Sequence, residues 1–269
     1  MSTYVISDIH GCFREFKKML RKVDFRFGID TLIIAGDLTD RGEQNYEMLK
    51  WMEEERANVF YIMGNHDYDL CRDLKLFSKV LKTSEINGDI DKFIDFYKKV
   101  RKYNKDKYGT IRRLIIENHA TVEEFDLWIS RIKSFDYYKE LNIGDKTYII
   151  CHAGYLDTSA YSDPDFLARR YGYAHEFVFN IWARDDMLDV GGRRGATIVF
   201  GHTPTIIKNS RYYNNGKVFQ YYNESLDCRF LNIDCGYVYH KIDKTANMAI
   251  IRLEDEKIFY LKRIHEKLY

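Results

Sequence analysis

The sequence predicts an α/β fold, a layered central β-sandwich flanked by helices with a helical insertion in the middle. The first 64 residues alternate between short apolar runs and amphipathic segments. Residues 68–133 are instead highly charged and have helical spacing. Apolar runs resume at residue 148 and continue towards the end of the chain. Alternating strands and helices are typical of helices packed over a largely parallel sheet.

The elements of the first part of the chain can be placed individually. The β-rich apolar runs at residues 4–6, 31–35 and 59–63 predict three strands. Between them, residues 13–22 and 43–55 have apolar side chains at helical spacing. The resulting order is strand, helix, strand, helix, strand, so we expect the three strands to be parallel.

We predict that residues 1–269 form a single domain. The chain has two prolines and no Pro-rich linker, internal repeat or low-complexity segment that would divide it. We interpret the helical stretch at about 68–133 as an insertion into this domain, because strands resume after it. Further strands are predicted at residues 148–150, 197–200, 230–233, 248–253 and 257–261, with the last two forming a hairpin.

The composition excludes several classes of function. The chain has 42 basic and 41 acidic residues and a formal charge of +1, which argues against a strongly basic nucleic-acid-binding protein. No apolar run approaches the roughly 20 residues that span a bilayer. The five cysteines are scattered and contain no CxxC pair. We therefore expect a reduced, cytoplasmic protein without a nucleic-acid or membrane partner, while the oligomeric state stays open.

Polar clusters follow five of the predicted strands. In chain order they read DIHG at 8–11, GDLTDRG at 36–42, GNHD at 64–67, CHAG at 151–154 and FGHT at 200–203. Ligands of open α/β sheets bind at the carboxyl ends of the strands, and glycines let the backbone turn and approach a ligand closely. Carboxylate and imidazole groups gathered there suit divalent ions such as Mn²⁺, Fe²⁺ or Zn²⁺.

These clusters supply six candidate metal ligands, which are Asp8, His10, Asp37, Asn65, His152 and His202. Asp8 and His10 are two residues apart, so both would point to the same side of an extended strand. Six ligands are too many for one ion that keeps open positions. We therefore predict two divalent ions that share a bridging carboxylate, an arrangement that clamps both the attacking and the leaving oxygen of a phosphoryl transfer.

Together, and in this order, the five motifs resemble the phosphoprotein phosphatases of the calcineurin-like metallophosphoesterase superfamily. The resemblance is greatest to the bacterial and phage branch, which includes bacteriophage lambda protein phosphatase and the symmetrical bis(nucleosyl)-tetraphosphatases. It implies a metallophosphoesterase fold and two metal ions, with manganese expected and iron or zinc as alternatives. It also implies that Asp8, His10 and Asp37 hold the first ion, and that Asp37, Asn65, His152 and His202 hold the second.

The same resemblance implies roles for the residues around the metals. Arg41 and Arg184 would bind the substrate phosphate, together with Asn65, and the planar fork of arginine matches phosphate geometry. His66 would be the general acid that protonates the leaving oxygen, and Asp40 would orient it. A neighbouring carboxylate raises the pKa of a histidine, which suits that role near neutral pH.

Three positions depart from the family pattern. Ser7 replaces a glycine of many members, while Asp67 and Ala153 replace a glutamate and a glycine of the eukaryotic members. None of the three changes removes a proposed ligand. They make the eukaryotic branch a poorer match and leave the substrate undecided.

The resemblance implies hydrolysis of phosphate monoesters by direct attack of a metal-bridging water. The favoured substrates are phosphoserine or phosphothreonine in proteins, with phosphotyrosine or a small phosphoester as alternatives. Asp40, which the tetraphosphatases of the superfamily often lack, favours this hypothesis, whereas Asp67 is shared with them. A symmetrical dinucleoside-tetraphosphate hydrolase is the alternative enzyme. A catalytically silent binding scaffold is the remote alternative, because every proposed ligand is present.

Overall fold

Two five-stranded β-sheets form the centre of the fold, and helices cover their outer faces. The computed structural model describes residues 1–83, 86, 89–101 and 109–261. The strands are β1 (Thr3–Ile6), β2 (Thr31–Ala35), β3 (Val59–Ile62), β4 (Tyr138–Ile143), β5 (Lys146–Cys151), β6 (Ala196–Phe200), β7 (Phe219–Asn223), β8 (Cys228–Asn232), β9 (Met248–Arg252) and β10 (Lys257–Leu261). The predicted β-sandwich flanked by helices is confirmed.

The helices follow the same chain order. They are α1 (Phe13–Lys22), α2 (Asn45–Glu53), α3 (Asn65–Leu81), α4 (Ile90–Arg101), α5 (Gly109–Arg112), α6 (Val122–Lys133), α7 (Asp165–Arg170), α8 (Glu176–Trp182) and α9 (Met187–Val190). A π-helical turn covers Arg113–Glu117 and a 3-10 turn covers Tyr237–Tyr239. Within the described residues, every helix is too short or too polar to cross a membrane.

Each sheet has a parallel core. The first sheet has the order β10-β9-β1-β2-β3, in which β1, β2 and β3 are parallel. The second has the order β4-β5-β6-β8-β7, in which β5, β6 and β8 are parallel. The two sheets bury apolar side chains against each other, including Val5 and Ile33 of the first and Ile150, Val199 and Leu231 of the second. The parallel strands therefore place six loops at one edge of the sandwich.

Two strands were missed by the sequence analysis, β4 and β7. Both lie at an edge of the second sheet, where only one neighbour is available. Along β4, exposed and half-buried residues alternate, and β7 buries none of its residues fully. Edge strands commonly carry polar side chains, so they lack the continuous apolar run that identifies a central strand.

The described elements between β3 and β4 are all helical, over the stretch where the sequence predicts an insertion. The first of these helices, α3, begins at Asn65 and not after residue 67 as the sequence analysis placed it. It packs against α6 through buried residues that include Leu74, Phe77, Phe125 and Trp128. As a result, two of the predicted site residues, Asn65 and His66, are the first two residues of a long, well-packed helix.

Candidate active site

Asp37, in the loop after β2, is the centre of the polar groups at the strand ends. Its Oδ2 lies 3.5 Å from His10 Nε2, and its Oδ1 lies 3.4 Å from His152 Nε2. The side chain is buried, and it belongs to two groups of potential ligands, His10–Asp37–His66 and Asp37–His152–His202. One carboxylate thus faces two clusters at once, which is what a bridging ligand requires.

In the second of these clusters, three atoms that could bind a metal ion lie close together. Asn65 Oδ1 lies 3.1 Å from His152 Nε2 and 2.9 Å from His202 Nδ1, and the two histidine nitrogens are 3.2 Å apart. His152 Nδ1 is 3.0 Å from the carbonyl oxygen of Ala35, to which it can only donate a proton. Nε2 of the same ring therefore faces the Asn65 oxygen, an arrangement that a bound cation stabilises.

The first cluster is built in the same way. His10 Nδ1 donates to the carbonyl oxygen of Thr39 at 2.9 Å, which leaves the lone pair of Nε2 facing Asp37 Oδ2 and, at 3.9 Å, Asp8 Oδ1. Among the described residues, nothing donates a hydrogen bond to this buried Asp8 oxygen. The other oxygen, Asp8 Oδ2, accepts from the backbone N–H of His202 at 3.0 Å and joins the loops of the two sheets.

The protonation state of two of the histidines, His10 and His202, fits metal binding. Burial, followed by the nearby charge of Arg41, lowers the pKa of His10 well below its usual value. Burial also lowers the pKa of His202. Metals bind neutral imidazoles and ionised carboxylates, so the neutral histidines are already in the form that ligates. The atoms that could bind a metal ion are oxygen and nitrogen, which suit several divalent ions and do not select one of them.

The backbone is strained where these side chains are presented. Six of the twelve described non-glycine residues with positive φ belong to the predicted site, with φ between 46° and 75°; they are Asp8, His10, Asp37, Asp40, Arg41 and His202. Such conformations are uncommon outside glycine and concentrate at functional sites. Gly64 makes the close packing of the loops possible, since a Cβ there would lie 2.2 Å from Asp37 Oδ1.

Asp67 explains one departure from the family pattern. Its buried carboxylate accepts three backbone hydrogen bonds, from the N–H groups of Asp37 at 2.8 Å, Leu38 at 3.0 Å and Gly64 at 3.1 Å. The side chain thereby ties the loop after β2 to the first turn of α3. A glutamate would be one methylene longer and could not keep these contacts without a shift of the loop.

His66 and Asp40 form a pair at the outer side of the first cluster. His66 Nδ1 lies 2.7 Å from Asp40 Oδ2. Burial lowers the pKa of His66, but the hydrogen bond to Asp40 and the charge of Asp37 outweigh it, and the pKa is raised. Arg41 Nη2 lies 2.7 Å from His66 Nε2, and a guanidinium can only donate, so the ring is the acceptor in this conformation.

The two predicted phosphate-binding arginines lie at the mouth of the site, and both are exposed. Arg41 Nη1 lies 2.5 Å from His10 Nε2. Arg184 Nη1 lies 3.4 Å from Thr203 Oγ1, next to His202. Within the part of the chain that the structure describes, the guanidinium of Arg184 forms no ion pair, whereas the neighbouring carboxylate of Asp186 accepts from the Tyr173 hydroxyl at 2.7 Å.

Two residues near the site were missed by the sequence analysis. Asp234 follows β8, the sixth strand end, and is buried; burial and the charge of Asp8 raise its pKa. The sequence carried a signal for it, because an aspartate with a glycine close by follows an apolar run there, and polar residues with a nearby glycine also follow the other strands. Thr110 belongs to α5 of the helical stretch, and nothing in its sequence context marks it.

The Thr110 hydroxyl donates to Asp40 Oδ1 at 2.7 Å, while His66 contacts the other oxygen of the same carboxylate. Thr110→Val should therefore loosen the orientation of Asp40 and lower kcat for alkyl phosphates by roughly tenfold to a hundredfold, a hydrogen bond to a charged group being worth roughly 1.5–3 kcal/mol. The measurement compares kcat for an alkyl phosphate with that for p-nitrophenyl phosphate, whose leaving group needs little protonation. Thr110→Ser is the matched control and should restore the rate. Equal losses on both substrates would count against this positioning role.

The fold and the site define a class of protein, the metal-dependent phosphoesterases. The chain belongs to the calcineurin-like phosphoesterase family, whose model matches residues 1–235. The family uses divalent metals, in agreement with the two His/Asp groups around Asp37. This membership confirms the superfamily that the motifs indicated, while the resemblance to the phage branch stays a prediction.

Two sequence relatives have the same enzyme name. The chain is 40% identical over 87 residues to a symmetrical bis(5'-nucleosyl)-tetraphosphatase from Chromobacterium violaceum, covering 32% of this chain and 31% of that protein. It is 31% identical over 148 residues to the enzyme of the same name from Buchnera aphidicola subsp. Acyrthosiphon pisum, covering 53% of each. The chain thus spans about a third to a half of the length of these relatives.

Solved structures agree in fold. A proposed diadenosine tetraphosphatase superposes with a TM-score of 0.52 at 14% identity, over 98% of this chain and 94% of the other. A protein serine/threonine phosphatase from Saccharomyces cerevisiae superposes with a TM-score of 0.50 at 15% identity, over 99% of this chain and 81% of the other. At these identities the likeness shows the fold alone.

Proposed function

We propose that this protein hydrolyses phosphoric esters and anhydrides at a centre of two divalent metal ions, and that dinucleoside tetraphosphates are its leading substrates. The observation that carries the reaction class is the position of Asp37, whose two oxygens face separate ligand clusters at 3.4–3.5 Å. The proposed ligands are Asp8, His10 and Asp37 for one ion and Asp37, Asn65, His152 and His202 for the other.

The side chains around this centre have distinct tasks. Two bound divalent ions would polarise the phosphoryl oxygens and lower the pKa of a bound water. Arg41 and Arg184 approach from opposite loops and hold the phosphate, with Asn65 beside them. When the phosphate attracts the guanidinium of Arg41, His66 Nε2 is released from that contact and can carry the proton for the leaving oxygen. Asp40 keeps the ring oriented through Nδ1.

The support for the substrate comes from the sequence relatives, which are named symmetrical bis(5'-nucleosyl)-tetraphosphatases. The sequence alone favoured a phosphoprotein, and these relatives instead favour the alternative that it left open. The two exposed arginines at the mouth of the site also suit a substrate that carries several phosphates.

A phosphomonoester is the second candidate, because the Asp40–His66 pair is present with a hydrogen bond of 2.7 Å. A serine or threonine alkoxide is a poor leaving group and needs a delivered proton. The phosphate released from an anhydride depends on this proton much less. Proton donation by His66 should therefore accelerate the hydrolysis of a monoester more than that of a tetraphosphate.

A single panel of substrates tests both candidates. The Mn²⁺-loaded protein is given diadenosine tetraphosphate, phosphoseryl, phosphothreonyl and phosphotyrosyl peptides, and p-nitrophenyl phosphate, and kcat/KM is measured for each. We expect the highest value for the tetraphosphate, with ADP as its sole nucleotide product. A phosphopeptide cleaved at least tenfold more efficiently would move the assignment to the second candidate. Metal-loaded protein that cleaves none of them would support the silent scaffold.

A further inference from the structure

A cleft of about 570 Å³ opens beside Arg41, and its described lining contains no residue of the second cluster. Three parts of the chain line it: the start of α1 with the loop before it, the loop that leads into α2, and the region around the 3-10 turn. The residues that matter for its chemistry are Arg14, Lys18, Arg41, His240 and Lys241. None of them except Arg41 has a part in the proposed metal centre.

The cleft has an excess of positive charge. Among the residues that the structure describes, its lining contains four arginine or lysine side chains and two carboxylates, Glu15 and Glu43. Lys241 Nζ lies 2.6 Å from Glu43 Oε1, and Glu15 Oε1 lies 2.9 Å from Arg14 Nε and 3.7 Å from Lys18 Nζ. Arg14 and Lys18 both contact Glu15, and Arg41 contacts imidazoles. A near-neutral protein has here a local surface that attracts anions.

The cleft is continuous with the metal centre. Arg41 belongs to both, since its guanidinium contacts His10 and His66. The Gly42 N–H, in the cleft wall, donates to the His10 carbonyl oxygen at 3.1 Å, and Gln44 N–H donates to the Gly11 carbonyl oxygen at 3.0 Å. These bonds fix the loops next to Arg41, and a phosphate chain that is held at one end by Arg41 can extend into the cleft that this residue also lines.

The far wall adds an aromatic surface. The rings of His240 and Tyr237 stack with centroids 4.8 Å apart and an interplanar angle of 20°. Flat aromatic walls beside cationic side chains are a combination that binds nucleotides, through base stacking and phosphate contacts.

We propose that this cleft binds the part of a nucleoside polyphosphate that lies beyond the phosphate under attack. The phosphate chain contacts the side chains of Lys18, Arg14 and Lys241. The stacked ring of His240 lies towards the nucleoside. This subsite rests on the proposed function and adds to it the residues that distinguish a polyphosphate from a simple phosphate ester. Inorganic phosphate fills only the metal centre, whereas ADP reaches into the cleft.

The test compares the affinities of ADP and inorganic phosphate for the Mn²⁺-loaded protein by calorimetry. In the Lys18→Gln/Lys241→Gln protein we expect the Kd of ADP to rise roughly tenfold, since charge-assisted contacts are lost, and the Kd of phosphate to stay the same. Lys17→Gln is the matched control: Lys17 is adjacent on α1, lies 4.5 Å from the ring centroid of Phe13 and lines a different groove. It should leave both affinities unchanged.

An unchanged Kd of ADP in the double variant would overturn the subsite, and so would an equal rise for ADP and phosphate. Failure of the proposed function would be seen separately. If the wild-type protein does not cleave diadenosine tetraphosphate but the double variant still loses affinity for ADP alone, the cleft is a nucleotide site and the assigned substrate is wrong. If the tetraphosphate is cleaved with the same KM by both proteins, the function stands and the subsite fails.

Discussion

The Asp37→Asn protein is expected to lose at least about 10³-fold in kcat on every phosphoester, because a metal centre supplies several kcal/mol of transition-state stabilisation and this carboxylate faces both halves of it. The amide keeps the shape of the side chain and can still accept the backbone hydrogen bond from His66, which is 2.9 Å long in the wild-type protein. The loss would therefore report the missing negative charge and not a collapsed loop.

The decisive measurement for Asp37→Asn is the metal content. Elemental analysis after loading with Mn²⁺ should give two ions per chain for the wild-type protein and fewer than two for the variant. Asp126→Asn is a suitable control, since this exposed aspartate on α6 pairs with Lys82 away from the site. A variant that retains two ions and full activity would show that Asp37 does not bridge.

His66→Asn is expected to lower kcat by about 10²–10⁴-fold for substrates with poor leaving groups, the usual contribution of a general acid. Two metal ions should remain bound, because the proposed ligands are untouched. The loss should be much smaller for p-nitrophenyl phosphate. His175→Asn is the control, because it makes the same substitution at an exposed histidine that pairs with Asp165 away from the site.

Two outcomes would contradict the role of His66. Equal losses for a phosphoseryl peptide and p-nitrophenyl phosphate would exclude a proton donor. A fall in metal content would make His66 a ligand, which its proximity to His10 and Asp37 also permits geometrically. The kinetic and the analytical readouts together separate the two chemistries.

The parts of the fold that the sequence predicted are those in which burial leaves a periodic pattern. Helix α1 extends over Phe13–Lys22, as its spacing indicated, because Phe16, Met19 and Leu20 all face the core. The strand at Thr31–Ala35 likewise has four fully buried residues in succession. Edge strands β4 and β7 contain no fully buried residue, so neither has the continuous apolar run that identified the central strands.

The candidate site was predictable to a similar extent. Asp37 and His152 each lie at the carboxyl end of a parallel strand, with a glycine within two residues, so local sequence and sheet geometry suffice to bring them together. Thr110 could not be found in this way. Its contact with Asp40 joins residues seventy positions apart and depends on how α5 packs over the strand ends, which a single sequence does not encode in a readable form.

The start of α3 at Asn65 has a consequence for protein engineering. The helix that presents Asn65 and His66 is the same helix that continues into the insertion, and its first turn is closed by the hydrogen bond from Tyr68 N–H to the Gly64 carbonyl oxygen, 3.0 Å long. A chimera that exchanges the insertion at residue 68 would cut this turn and release both side chains. Grafts that aim to change the specificity of this scaffold should keep α3 whole and join the new segment beyond Leu81.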